Sequence, residues 1–331
     1  MKKIVVIGSN SFSGSDFIDH VLTETDYRIH GISRSPEKSS LFLPYKKNAD
    51  LDRFSFHRMD LNQDMAELKK FLLDIKPEYI INFAAQSEVG PSWDHPEQWF
   101  RTNAVAIAEL GNFLKDQKWL LRYVHISSPE VYGSCEGTVK EDAPLNPSTP
   151  YAASKAAGDL MLFTLVKNFN FPLVMIRSTN VYGAHQQLFK IIPRSVIFLK
   201  KGKTIELHGG GEAVKSYIHI RDISRGELLA MLNGKNGQIY HLSPSDSGIA
   251  IKNVVRMICD EMGMDFNSST RMVAERIGQD KAYIIDSQKA RRELGWIPII
   301  QLNEGLRNVV RWVEANWDEI SGQPLEYLHK P

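Results

Sequence analysis

The first twenty-two residues carry the pattern that most narrows the fold. Residues 2–7 form a short apolar strand, residues 8–14 (Gly-Ser-Asn-Ser-Phe-Ser-Gly) a tight turn, and residues 15–22 a helix. A helix that starts from such a turn gathers backbone N–H groups and the positive end of its dipole at one point, which makes a seat for a pyrophosphate. A dinucleotide is the ligand that suits it. Gly8, Ser11, Phe12, Ser13 and Gly14 are therefore cofactor-binding candidates. Ser11 stands where a glycine would permit the closest backbone approach, so contact with the phosphates is expected to be looser there.

Apolar strands near Lys2, Tyr27, Phe54, Tyr79, Tyr123 and Leu173 alternate with helical stretches near Ser15, Met65, Glu97 and Tyr151. That alternation predicts a Rossmann-type α/β fold, a doubly wound parallel sheet over residues 1–182. Residues 183–331 read differently: a helix over 191–200, short strands at 204–207 and 216–220, and a closing helix toward Trp317 predict a smaller α/β substrate-binding domain, with some segments returning to the main sheet. Gly209-Gly210-Gly211 reads as a hairpin turn, because no helix follows it as a phosphate loop would require.

The second strand ends in Ser33-Arg34-Ser35, with no acid to accept a ribose 2′-hydroxyl. A guanidinium flanked by hydroxyls suits a 2′-phosphate, so NADP is expected, with NAD as the alternative. Asp60 and Leu61 after the third strand, and Ala84 and Ala85 after the fourth, sit where a chain of this fold lines its cofactor.

Ser148-Thr149-Pro150 offers a helix cap and a first-turn proline, and the Ala-, Leu- and Met-rich stretch to Phe169 continues as a helix. Tyr151 and Lys155 then share one face. A phenol near its ordinary pKa of ~10 is a poor base at neutral pH, and an ammonium one turn away favours its phenolate form. Tyr151 is thus a candidate proton acceptor, with Ser127, Ser128 and Glu130 just upstream.

Lys and Arg number 40 against 39 Asp and Glu, a net charge of +1 that supplies no field for nucleic acid or an anionic membrane. With two cysteines, Cys135 and Cys259, there is no disulfide framework and no metal spacing, and the cytoplasm is the expected compartment. No stretch approaches the ~20 apolar residues of a membrane span.

In their order and spacing, residues 8–14, 82–87, Asn103, 126–133, Tyr151-Ala-Ala-Ser-Lys155, 177–183, 190–193, 216–222 and 276–286 resemble the extended short-chain dehydrogenase/reductases that act on nucleotide sugars, especially the 4,6-dehydratases. Residues 27–35 are similar to the NADP-using GDP-mannose 4,6-dehydratases, whereas 127–133 and 180–193 look more like the dTDP-glucose 4,6-dehydratases. The resemblance implies that Ser128 bonds the sugar oxygen, Tyr151 is the base, and Lys155 binds the nicotinamide ribose. Asn103, Ala84 and Ser127 would adjoin the cofactor; Gln86, Ser87, Asn180, Lys190, Lys215 and Arg276 would adjoin a nucleotide-diphosphate sugar.

Two departures stand out. Pro129 replaces the acid that precedes Glu130 in dTDP-glucose dehydratases, and Lys215 replaces a usual arginine. After C4 oxidation the C5 proton is acidic, and Glu130 is the nearby carboxylate that can take it. The implied product is a 4-keto-6-deoxy sugar nucleotide. A 4- or 5-epimerase, a UDP-glucuronate decarboxylase, a 5,6-dehydratase and a non-catalytic NADP-binding regulator remain alternatives. Apolar residues on two helices (Trp99, Ala104, Ile107 and Leu110; Met161, Leu162 and Leu165) predict a homodimer through a four-helix interface, with packing on the sheet as the other possibility.

Overall fold

The computed structural model describes residues 1–134, 137–244, 248–274 and 284–330. Its centre is a sheet of strands β1 (Lys3–Ile7), β2 (Arg28–Ser33), β3 (Phe54–Arg58), β4 (Tyr79–Asn82), β5 (Arg122–Ile126), β6 (Leu173–Ser178) and β7 (Gln238–Leu242). The spatial order is β7-β6-β5-β4-β1-β2-β3 and every pairing is parallel. Parallel strands need crossovers, and the crossovers cover both faces, so β1, β4 and β6 are near-continuous apolar runs, whereas the edge strand β3 alternates Phe54 and Phe56 with Ser55 and His57. In β1, Ile4 and Val6 pack with Phe17, Ile18 and Val21 of helix Phe12–Glu24 and with Ile223 and Met231 of helix Ile220–Asn233. Val5 and Ile7 point the other way, onto Leu68, Leu72, Ile107, Leu110, Leu162 and Leu165.

Strand order reverses at β1, which lies between β4 and β2. Consecutive crossovers leave on opposite faces there, and their separation opens a crevice beyond the carboxyl ends of the strands. A second core joins helices Ile191–Lys200, Ile251–Glu261 and Leu302–Ala315 through Val196, Ile197, Val254, Ile258, Val309 and Val313. No helix among the described residues is long and apolar enough to cross a membrane.

Three expectations need correction. The expected hairpin is absent: Ile205–His208 pairs in parallel with Thr270–Val273, and Tyr217–His219 in parallel with Asn180–Tyr182. Gly209, Gly210 and Gly211 have φ of 55°, 68° and 71°, and this left-handed run redirects the chain away from its preceding strand. The helix near Glu97 is interrupted, running as Pro96–Phe100, a π-helical turn Arg101–Val105, and Ala106–Leu114. The apolar residues assigned to a dimer interface lie largely inside the subunit: Trp99, Ile107, Leu110, Leu162 and Leu165 are buried. Val105, Leu160 and Phe169 face outward instead.

Candidate active site

The first turn is shaped by what it excludes. A Cβ on Gly8, where φ is +88°, would lie 2.7 Å from the Ala84 nitrogen, and one on Gly14 would lie 2.5 Å from the Gly8 carbonyl oxygen. Ser11 is accommodated because its hydroxyl turns back as a helix cap, accepting from the Gly14 N–H at 3.0 Å. Phe12 and Ser13 open the helix, where first-turn N–H groups lack intrahelical partners.

Above this turn lies a cavity of about 360 Å³. Gly8, Ser11, Ser33, Arg34, Ser35, Asp60, Leu61, Ala84 and Ala85 line it, so expected cofactor positions from four strand ends converge, and Gln86 and Ser87, expected on the sugar nucleotide, line the same cavity. The buried Oδ1 atoms of Asn10 and Asn62 have no hydrogen-bond partner among the described residues, and both side chains line the cavity. Orphaned polar groups, a close-packed glycine turn and a helix N-terminus together fit a dinucleotide.

At the end of β2 the residues divide their work. The Ser33 hydroxyl accepts from the Asn10 N–H at 3.0 Å and so braces the turn. Lys38 donates to the Asn10 carbonyl at 3.2 Å; desolvation and the charge of Lys330 lower its pKa. Glu37, the nearest acid in sequence, accepts from the Tyr45 hydroxyl at 2.9 Å.

Asn103, on the π-helical turn, is fully engaged. Its amide donates to the Gln86 carbonyl and the Ser154 hydroxyl, both at 2.9 Å, and its oxygen accepts from the Gln86 N–H at 3.0 Å. It therefore orients the loop after β4.

Thr149 caps helix Pro150–Phe169, accepting from the Ala152 N–H at 3.1 Å. Tyr151 and Lys155 follow on its first turns, both buried. Ser128 caps the short turn Pro129–Tyr132 through the Glu130 N–H at 3.2 Å, which sets Glu130 beside the phenol. Burial drives the Tyr151 pKa upward, the Glu130 carboxylate pushes it further, and a hydrogen bond from Ser128 opposes both. The expected lowering by Lys155 is not seen in the protein alone. The Lys155 ammonium donates instead to the Ile126 carbonyl at 2.8 Å and lies 3.5 Å from His125 Nε2. Burial brings Lys155 down to about 8, against the attraction of Asp159.

Beneath this pair is a buried network that the sequence reading missed. Asp159 Oδ2 accepts from the Ser127 hydroxyl at 2.6 Å and from Arg177 at 2.7 Å, and the Arg177 guanidinium lies 4.6 Å from the centroid of the Tyr132 ring. Asp159 stands four residues after Lys155, a helical spacing that could have flagged it.

The expected substrate positions are scattered over several elements. Lys190 pairs with Glu88 at 2.7 Å, and Glu88 also raises the Tyr151 pKa, a carboxylate not anticipated. Asn180 opens a short strand with its Oδ1 buried and unpartnered among the described residues. Lys215 lies on Val214–Lys215, antiparallel to Ile249–Ala250. Arg276 and Cys135 lie outside the described residues. No cluster of metal-ligating side chains occurs among the described residues.

Residues 5–309 match the family described as GDP-mannose 4,6 dehydratase. The dTDP-glucose 4,6-dehydratase of Streptomyces niveus is 32% identical, over 99% of this chain and 98% of its own. That of Neisseria meningitidis serogroup B is 28% identical over 96% and 94%. Among solved structures, the dTDP-glucose 4,6-dehydratase DesIV of Streptomyces venezuelae, with NAD bound, superposes with a TM-score of 0.88 at 30% identity, over 96% of this chain and 98% of that one. A UDP-glucuronic acid 4-epimerase of Bacillus cereus with UDP-glucuronic acid and NAD gives 0.83 at 26%, over 95% and 99%. Fold, glycine turn and family match agree, and the chain belongs to the GDP-mannose 4,6-dehydratase family, among the extended short-chain dehydrogenase/reductases that include nucleotide-sugar dehydratases and epimerases.

Proposed function

We propose that this protein is an NAD(P)-dependent nucleotide-sugar 4,6-dehydratase. The observation that carries this reading is Glu130: the Ser128-capped turn brings its carboxylate close enough to Tyr151 to perturb the phenol. When bound, an oxidised nicotinamide would supply the hydride acceptor for the sugar C4 and, once reduced, the hydride donor for C6. Tyr151 takes the C4 hydroxyl proton while Ser128 holds that oxygen. Glu130 removes the C5 proton, acidified by the C4 ketone, and delivers a proton to the C6 hydroxyl, which leaves as water; as C6 regains hydride, C5 takes a proton that Glu130 has drawn from solvent. With Pro129 in place of a second acid, one carboxyl serves both transfers. Lys155 holds the nicotinamide ribose, and its ammonium offsets the charge on the phenolate. Gln86, Ser87, Asn180, Lys190, Lys215 and Arg276 hold the nucleotide-diphosphate sugar, and Lys190 exchanges Glu88 for the diphosphate.

NADP is the proposed cofactor, because Arg34, Ser35 and Lys38 meet at the end of β2 while Glu37 is engaged with Tyr45. NAD, held by the dehydratase and epimerase neighbours, is the alternative. Residues 1–182 form the cofactor unit and 183–331 mainly the substrate unit. Exposed Val105, Leu160 and Phe169 suit a homodimer through the helices that bear them. A reducing cytoplasm suits the two cysteines.

The test is product analysis in deuterium oxide with a panel of nucleotide hexoses. The expected product is a 4-keto-6-deoxy sugar carrying deuterium at C5, and Glu130→Gln abolishes that incorporation. C4 inversion without deuterium would establish the epimerase reading, which the missing second acid and the likeness to a 4-epimerase favour.

A further inference from the structure

Residues 322–330 follow the last helical turn, Trp317–Ile320, and lie beyond the family match at 5–309. After a turn and bend at Gly322 and Gln323, the segment alternates exposed and half-buried residues, with Leu325, Tyr327 and His329 half-buried. Leu325 packs on the C-terminal core, Tyr327 meets Phe189 edge-on with ring centroids 5.5 Å apart, and His329 stacks on buried Trp99 at 5.2 Å. His329 Nε2 is also 2.6 Å from Gln98 Oε1. A segment pinned at three successive inward positions is docked.

Its far end crosses the dinucleotide crevice. The Lys330 carbonyl accepts from Arg34 at 3.1 Å and from the Gln86 amide at 2.8 Å. Those residues follow β2 and β4, the two strands that flank β1, so the segment passes over the Gly8 turn. The cavity persists beneath it with Tyr327, Leu328 and Lys330 as lining, which makes the segment a roof and not a filling.

We propose that residues 325–330 are a strap that closes over the bound dinucleotide and slows its release, and that Lys330 joins Arg34 and Lys38 in receiving the 2′-phosphate. The second part rests on the NADP reading above. The first does not. The Lys330 ammonium lies near enough to Lys38 to depress it, and like charges brought together favour an anion between them. The latch at Trp99 and Gln98 ties the strap to the helix that leads into the Asn103 turn, so the same closure braces the loop after β4.

The experiment compares the full chain with a chain ending at Glu326, and with His329→Ala and Lys330→Ala. Release of NADPH and NADH is followed by nicotinamide fluorescence in stopped flow, after circular dichroism shows each variant folded. Shortening the chain is expected to speed release of both dinucleotides by roughly tenfold or more, equivalent to about 1.4 kcal/mol. His329→Ala, which keeps the backbone and removes the latch, moves release the same way. Lys330→Ala speeds NADPH release alone. If the shortened chain and His329→Ala release both dinucleotides at the full-chain rate, the strap is refuted. Tighter binding by the shortened chain also refutes it and makes the segment a competitor for the crevice. Faster release of both dinucleotides on shortening, with no NADPH preference in the full chain and no effect of Lys330→Ala, keeps the strap and overturns the phosphate role.

Discussion

Replacing Lys155 by methionine should stabilise the unliganded protein while abolishing turnover. Lys155 is 2% exposed, and burial is the largest cause of its depressed pKa. The fall from 10.5 to about 8 corresponds to a folded-state penalty of about 3 kcal/mol for carrying the charge at neutral pH. Methionine fills a similar volume, but it leaves the Ile126 carbonyl without its donor, a loss of about 1 kcal/mol. The net gain is about 2 kcal/mol, which should raise the urea midpoint by roughly 0.5 M for a chain of this size. The sign of the pH dependence follows from the lowered pKa. Below about 8 both folded and unfolded chains hold the proton, and the wild-type penalty is full. Between about 8 and 10.5 the folded chain has lost a proton that the unfolded chain keeps, so wild-type stability rises with pH relative to the variant. Urea titrations of both proteins at pH 7 and pH 10 should show the advantage of Lys155→Met shrinking toward zero. A variant less stable at pH 7, or a gap that does not change with pH, would refute the account of Lys155 as a strained buried charge.

Tyr151→Phe should lower turnover by roughly 100- to 10,000-fold with dinucleotide affinity nearly unchanged, measured by steady-state kinetics beside fluorescence titration. Arg34→Ala should weaken NADP by roughly 10- to 100-fold, the equivalent of about 1.5–3 kcal/mol for a charge-assisted hydrogen bond, and leave NAD within about twofold. Equal losses for both would mean that Arg34 acts only through the fold and its hydrogen bond to the Lys330 carbonyl, and not on a 2′-phosphate. Leu162→Ala, at a fully buried position against the sheet, should destabilise by about 2–5 kcal/mol in urea unfolding, and Leu160→Ala on the exposed side of the same helix should not. A loss of dimer in Leu160→Ala by sedimentation would place the subunit interface there.

Much of the fold could be read along the chain because its signals are local. The glycine turn at 8–14, the capped helix starting at Pro150 and the apolar strands each depend on residues within a few positions of one another, and parallel strands covered on both faces announce themselves as apolar runs. The same locality explains the grouping of Ser128, Glu130, Tyr151 and Lys155, which come from two neighbouring stretches of chain. The hairpin misread at Gly209–Gly211 shows the limit: glycines permit a turn, but which strand is paired afterward depends on Thr270–Val273, more than sixty residues on.

Tertiary structure decided what depends on distance and dielectric. The direction of the Tyr151 and Lys155 shifts follows first from how deeply each is buried, and only then from neighbours such as Glu130 and Asp159; the i, i+4 spacings place those groups on one face but do not encode the burial. The assignment of Trp99, Leu110 and Leu162 to the interior, and of Val105 and Leu160 to the outside, is a matter of which helix face meets the sheet. The crossing of Lys330 over Arg34 and Gln86 joins residues 296 and 244 positions apart, brought together where the folded chain passes over its own first turn. Sequence determines the elements through short-range propensity and periodicity; charge states, interfaces and closures arise from burial and long-range contact, which exist only once those elements have packed.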